Sequence, residues 1–147
     1  MALDFTYLDF DVDFIPNEFT GDISVRKDLR AIRQSVTNLL LTRPKERFFE
    51  SSKAAVGLQN LFFELKQSAF DSTVFIRESA REVINKYEPR VIFKDLLVLN
   101  DDEIADGTGI VVEVTYDVVA YGGDTDSLET SSITDGVTIT IEGPANG

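Results

Sequence analysis

The sequence predicts an α+β domain, about three helices packed on a small antiparallel β-meander with a short N-terminal strand or arm. Three observations lead there. Apolar residues recur at helical spacing between residues 28 and 87, a two-residue alternation takes over near residue 110, and Pro89 stands where one regime gives way to the other. Proline lacks a backbone N–H and biases the preceding residue away from helical dihedrals, so a helix arriving from residue 72 ends near Tyr87. A strand starts about two residues later. The 147 residues, 43% hydrophobic, suit a single domain spanning 1–147, with eleven Phe and four Tyr to fill its core. Residues 1–25 form the arm and strand, 26–88 the helices and 89–147 the meander.

At the start, residues 3–15 alternate imperfectly between apolar and acidic. The cleanest period-two piece sets Phe10, Val12 and Phe14 on one face against Asp9, Asp11 and Asp13 on the other, as in a half-buried edge segment or arm. The three aspartates also suit the first ligands of a calcium loop, but the glycine and the twelfth-position glutamate that such a loop requires are missing. Pro16-Asn17 and Thr20-Gly21-Asp22 carry turn chemistry and leave Ile23-Ser24-Val25 as a short strand.

Asp28 is the N-cap or first-turn acid of a first helix running to about Leu41. Leu29, Ile32, Val36, Leu39 and Leu40 form its packed face, and Arg26, Arg30, Arg33 and Gln34 fall mostly elsewhere. Pro44 closes the helix off, and Glu46-Arg47-Phe48-Phe49 connects onward, with Arg47 in reach of the helix-end carbonyls. A second helix covers Ser52 to Lys66, with Val56, Leu58, Leu61, Phe62 and Leu65 on its apolar side. Gly57 inside it costs about 1 kcal/mol relative to Ala and marks a close crossing with another backbone. Asp71 or Ser72 caps a third helix whose packed side carries Val74, Phe75, Ala80, Val83, Ile84 and Tyr87.

After the corner, residues 91–99 have few polar side chains on either face, as a well-covered strand requires. A turn-rich loop runs from Asn100 to Gly109. From Ile110 to Tyr121, Ile110, Val112, Val114, Tyr116, Val118 and Ala120 share one face, opposite Glu113, Thr115 and Asp117. A long polar connection from Gly122 to Gly136 leads to a last strand in which Val137, Ile139 and Ile141 alternate with Thr138 and Thr140.

Charge and composition narrow the chemistry. With no Cys and no His, disulfides, thiolate metal sites and the usual general base are all lacking. No cofactor and no metal are expected. Net charge is −12, unevenly spread: residues 1–25 carry six acids and no base, 26–53 eight bases against three acids, 54–94 six bases against five acids, and 95–147 twelve acids and no base. Two acidic ends enclosing a basic middle argue against nucleic acid at the ends and allow a partner, or the chain's own tail, to meet the middle. No apolar run is long enough to cross a bilayer, and Met1-Ala2-Leu3-Asp4 lacks the basic region of a secretory signal, so no membrane partner and cytosolic synthesis are expected.

Glu88 and Arg90 flank the corner at Pro89, one able to accept and the other to donate a bidentate, charge-assisted pair. Upstream lie Asp11-Val12-Asp13-Phe14-Ile15-Pro16, Phe19-Thr20-Gly21-Asp22-Ile23-Ser24-Val25, then Ala31 to Thr42 followed by Pro44-Lys45-Glu46-Arg47, and Gly57 with Leu61-Phe62-Phe63-Glu64. In this ordered series, with its Glu-Pro-Arg triplet between the last helix and a terminal meander, the chain resembles the baseplate wedge and sheath-initiator family of contractile phage tails. That family has relatives in tailocins and type VI secretion baseplates. Two departures stand out: Lys45 occupies a position where the family usually has Gly, and the loop from Gly122 to Gly136 is longer than usual.

The resemblance implies a structural, non-enzymatic role in the tail baseplate of a virion assembled in the host cytoplasm. By that match Glu88, Pro89 and Arg90 dock on the helical core bundle of neighbouring wedge proteins, and the chain offers a template to the first ring of sheath protein around the tail tube, in six copies in a symmetric baseplate. A three-stranded meander fits such templating, because an edge with unpaired backbone groups can accept an incoming strand. Val112, Val114, Tyr116, Val137, Ile139 and Ile141 are the alternating residues that fix its register. The acidic tail favours basic strands or arms, an encounter that salt weakens. The rival expectation is a lysozyme-like glycan hydrolase, a label the family has sometimes carried. A glycosidase needs two carboxyls across a cleft, one with a raised pKa, and Glu64, Glu78, Glu82 and Glu88 are candidates by residue type only.

Overall fold

Alternation decides the sheet, and a 3.6-residue period decides which side of each helix covers it. The computed structural model describes residues 7–46, 55–58, 69–100, 110–119 and 133–141. Five strands and two helices occur among them: β1 (Leu8–Phe10), β2 (Val25–Lys27), α1 (Leu29–Leu41), α2 (Ala69–Tyr87), β3 (Val91–Asn100), β4 (Ile110–Val118) and β5 (Ile133–Ile141). β1 and β2 form an antiparallel ribbon, and β3, β4 and β5 form an antiparallel sheet with β4 in the centre. The α+β class and the terminal meander are as the sequence predicts. The count of three helices is not matched among the described residues.

The central strand has the cleanest pattern. Ile110, Val112, Val114, Tyr116 and Val118 are all buried, and they meet Ile139 and Ile141 of β5 and Val91, Phe93 and Leu96 of β3 on the covered face. Onto that face α1 places Ile32, Val36, Leu39 and Leu40, and α2 places Ile76, Ala80, Val83 and Ile84. Burying each of the Ile, Val and Leu side chains stabilises the fold by roughly 1.5–3 kcal/mol relative to exposure. Arg33 and Arg30, out of phase with that stripe, are exposed.

Several expectations change. The packed side of α2 is set by Ile76, Ala80, Val83, Ile84 and the half-buried Tyr87, whereas Val74 and Phe75 fall off that phase and stay exposed. The helix is already formed at Ala69, so Asp71 and Ser72 lie within it instead of capping it. Asp28 precedes α1 but makes no side-chain cap; its carboxylate accepts from the Tyr7 N–H at 3.1 Å and its own N–H donates to the Tyr7 carbonyl at 2.8 Å, which ties the chain start to the helix. Most of the helix expected from Ser52 to Lys66 lies outside the described residues. Where residues 55–57 are described they are not helical, and Gly57 has φ of 65°, a left-handed conformation that glycine adopts without penalty. Gly57 thus lies in a non-helical, left-handed position and not inside a helix. Arg47 and the loop from Asn100 to Gly109, apart from Asn100 itself at the end of β3, also lie outside the described residues.

Strand limits shift too. β2 begins at Val25, and Ile23 makes only an isolated bridge to Pro16. β5 begins at Ile133, three residues before Gly136, which had been read as the end of a loop. The ribbon and the segment joining its strands turn apolar side chains outward: Leu8, Phe10, Phe14 and Ile15 are exposed, and Phe19 is 97% exposed. Its polar side is held down instead. Arg26 donates to both oxygens of Asp11 at 3.0 Å, and Gln34 of α1 donates to the Phe10 carbonyl at 2.7 Å while accepting from the Val12 N–H at 3.3 Å.

Candidate functional site

Pro89 ends α2 in the way its ring dictates. The Glu88 N–H still donates to the Ile84 carbonyl at 2.9 Å, and the Glu88 carbonyl then accepts from the Val91 N–H at 3.2 Å, so the chain reverses through Pro89 and Arg90 straight into β3. The Val119 N–H donates to the Arg90 carbonyl at 2.8 Å and fastens the turn to the end of β4. The corner is therefore pinned by backbone before any side chain acts.

The side chains lock it further. Arg90 Nε lies 2.5 Å from Glu88 Oε1 and Nη2 lies 2.6 Å from Oε2, the planar fork of a bidentate pair. The Ser35 hydroxyl of α1 donates to Glu88 Oε2. Tyr7 completes the enclosure, with its ring 5.2 Å from the Arg90 guanidinium carbon and its hydroxyl donating to the Val119 carbonyl at 3.3 Å. Burial alone pushes the Glu88 pKa up, but hydrogen bonds from Arg90 and Ser35, together with the Arg90 charge, outweigh it and hold the carboxyl below the usual glutamate range. Arg90 is held above its ordinary value chiefly by the same hydrogen bond.

The predicted pair is thus formed, but its members face different ways. Glu88 is 2% exposed and points into the fold, the Arg90 side chain is 22% exposed, and Pro89 lies on the surface. What a partner can touch is Pro89 and the rim of the guanidinium. Ser35 and Tyr7 were not anticipated. Ser35 was the readable one, a small hydroxyl between Ile32 and Val36 on the packed side of α1.

The six residues expected at a strand-accepting edge divide in two. β4 is hydrogen-bonded to β3 on one side and β5 on the other, so Val112, Val114 and Tyr116 belong to the interior of the sheet and their backbone is already engaged. Only Val137, Ile139 and Ile141 lie on an outer strand, β5. That strand is clasped to the helical layer by an ion pair missed in the sequence: Arg33 of α1 reaches both oxygens of Asp135 at 2.9 and 2.7 Å, beside the buried Tyr116 hydroxyl at 3.4 Å. Burial raises the Asp135 pKa, but the Arg33 hydrogen bonds more than offset it; burial also pushes the Tyr116 phenol well up. Lys94 and Thr134 together grip Asp117 at 2.7 and 2.8 Å and hold its pKa down.

The carboxylates considered for hydrolysis do not converge. Glu78 and Glu82 lie side by side along the exposed flank of α2, in an open groove that also includes Phe75 and Asn85. Glu88 is a paired anion, the opposite of a general acid kept neutral by apolar surroundings. Glu64 lies outside the described residues. Among those residues no group of three metal-ligating side chains occurs, and no helix is long and apolar enough to cross a membrane.

No protein-family model matches the chain, and no curated protein does. Solved structures do. A chain of the anti-feeding prophage baseplate, determined with 6-fold symmetry, superposes with a TM-score of 0.62 at 23% identity over 76% of this chain and 84% of that one. A Geobacter sulfurreducens protein whose name suggests a tail lysozyme gives a TM-score of 0.52 at 15% identity, over 76% of this chain and 86% of that one. The fold is thus shared with a chain of that baseplate and with the Geobacter protein.

Proposed function

We propose that this chain is a structural component of a contractile-tail baseplate, which docks on neighbouring wedge proteins through its corner and templates the first sheath ring through its sheet. The observation that carries the reading is the corner. Glu88 spends its charge inside the fold, on Arg90 and Ser35, and so presents Pro89 and one edge of the guanidinium at a fixed place on the surface. A group held this rigidly loses little conformational freedom when a partner closes on it. A fold shared with a baseplate chain from a 6-fold assembly supports the setting and six copies per baseplate. Templating draws its support from the outer strands of the sheet. In this reading the chain performs no catalysis, and its place is the tail baseplate of a particle assembled in the host cytoplasm.

The test is incorporation. Pro89→Asp leaves the Glu88–Arg90 pair in place and puts a charge on the outward side of the corner. Co-expressed with the wedge proteins, it is expected to stay folded by circular dichroism and to fail to co-purify with them. Normal incorporation of that variant overturns docking at the corner. Release of sugar from cell-wall glycan by the purified chain would instead favour the hydrolase that the Geobacter protein's name suggests.

A further inference from the structure

The two outer strands of the sheet are not equivalent, and we infer that β5, along Val137 to Ile141, is the edge that accepts a foreign strand while β3 is closed to one. The inference rests on the templating reading above. β3 carries most of the devices that keep a sheet edge from pairing with another chain. Its register shifts between Phe93 and Asp95, a bulge that interrupts the ladder. α2 then fills the outward groups. Asn85 accepts from the Phe93 N–H at 3.0 Å, Arg77 donates to the Leu96 carbonyl through Nε and Nη2 at 3.3 Å each, and Asp95 accepts from the Leu96 N–H at 2.8 Å while pairing with Arg77 at 3.1 Å. Lys94 and Asp95 add charge along the same stretch. Along residues 93–96 an arriving strand would have to displace Arg77 and Asn85 to find a free donor or acceptor.

β5 carries none of this from Val137 onward. Its register with β4 runs unbroken from Ile133 to Ile141, and residues 137–141 include neither charge nor proline. Among the described residues no strand pairs with it on the side away from β4. The polar clasps are confined to its first residues, where Thr134 bonds Asp117 and Asp135 bonds Arg33. The strand is thus anchored at one end and plain along the rest. Its solvent side presents Thr138 and Thr140, and its covered side Val137, Ile139 and Ile141. The occupant that suits it is an extended peptide segment of about five residues. It would alternate apolar with small or hydroxyl-bearing side chains, its apolar set continuing the core beyond Ile139 and Ile141 and its backbone completing the ladder.

Amide hydrogen exchange of the full chain, alone and with the purified sheath subunit of the same tail, tests this. On binding, amides within residues 137–141 are expected to exchange at least tenfold more slowly, with those of residues 93–97 unchanged. Protection at β3 and not at β5 overturns the choice of edge and leaves templating standing; protection nowhere in the sheet overturns both. As a second measurement, Val137→Lys places a charge on the covered side of β5 and is expected to weaken sheath binding at least tenfold, while Leu97→Lys on β3 leaves it unchanged. The reverse order of effects again overturns the assignment, and if Val137→Lys unfolds, the exchange result on the unaltered chain decides.

Discussion

Glu88 shows how one residue can be indispensable to a surface it does not reach. Its carboxylate is almost fully buried, so removing its partner leaves a charge that water cannot solvate. Arg90→Ala should therefore cost about 3 kcal/mol of stability, read as a lower urea midpoint, with any docking defect compounded by that loss. The pH dependence has a definite sign. Because the folded pKa of Glu88 lies below its unfolded value, its contribution is complete above about pH 4.3 and fades as pH falls through the lower folded value. Glu88→Gln should flatten the decline in urea midpoint between pH 5 and pH 3, and an unchanged slope would assign it to other carboxylates such as Asp135, whose shift has the same direction. Lys45 makes a second case. It is exposed with φ of 69°, the left-handed conformation in which a glycine would be at ease. Lys45→Val should lose about 1–2 kcal/mol, since a β-branched side chain tolerates that conformation worst, whereas Lys45→Gly should be at least as stable as the parent.

Among the elements, β5 depends on a single close approach. A Cβ built on Gly136 would sit 2.9 Å from the Val114 carbonyl oxygen, a backbone atom that cannot step aside. Gly136→Ala should then push β5 off β4 and cost roughly 1–3 kcal/mol, with faster amide exchange along both strands as the check. This glycine also explains where sequence reading stopped. The alternation of β4, the end of α1 at Leu41 and the corner at Pro89 were all legible, because each follows from periodicity or from proline's missing N–H. The start of β5 was not, because Gly and Asp look like loop residues until Arg33, about a hundred positions away, supplies the partner that lets Asp135 sit in a strand. Extending the alternation backward from Val137 through Asp135 to Ile133 was the available signal. The α2 face was misphased for a related reason: Val74 and Phe75 are apolar but exposed, and hydrophobicity by itself does not tell a core position from a sticky surface one. Burial of Glu88 was legible only as a pair with Arg90, since Ser35 and Tyr7 come from other parts of the chain.

The whole molecule combines two opposing surface properties. It carries a net charge of −12, and its ribbon and the segment joining the ribbon's strands also expose the apolar Leu8, Phe10, Phe14, Ile15 and Phe19. Replacing Phe10 and Phe14 by Ser should change stability by less than about 0.5 kcal/mol, because neither packs in the core, while raising the concentration at which the chain remains clear in solution. Like-charge repulsion between copies opposes ribbon-to-ribbon contact, and its reach shrinks to about 3 Å at 1 M salt. Light scattering by the parent chain should accordingly grow with sodium chloride where that of the doubly substituted chain does not. The colloidal behaviour of the free subunit is then a balance between greasy patches and mutual repulsion. Acid tips that balance toward clumping as the pH nears the isoelectric point of about 4.3, so a flask of this protein should turn cloudy in that range.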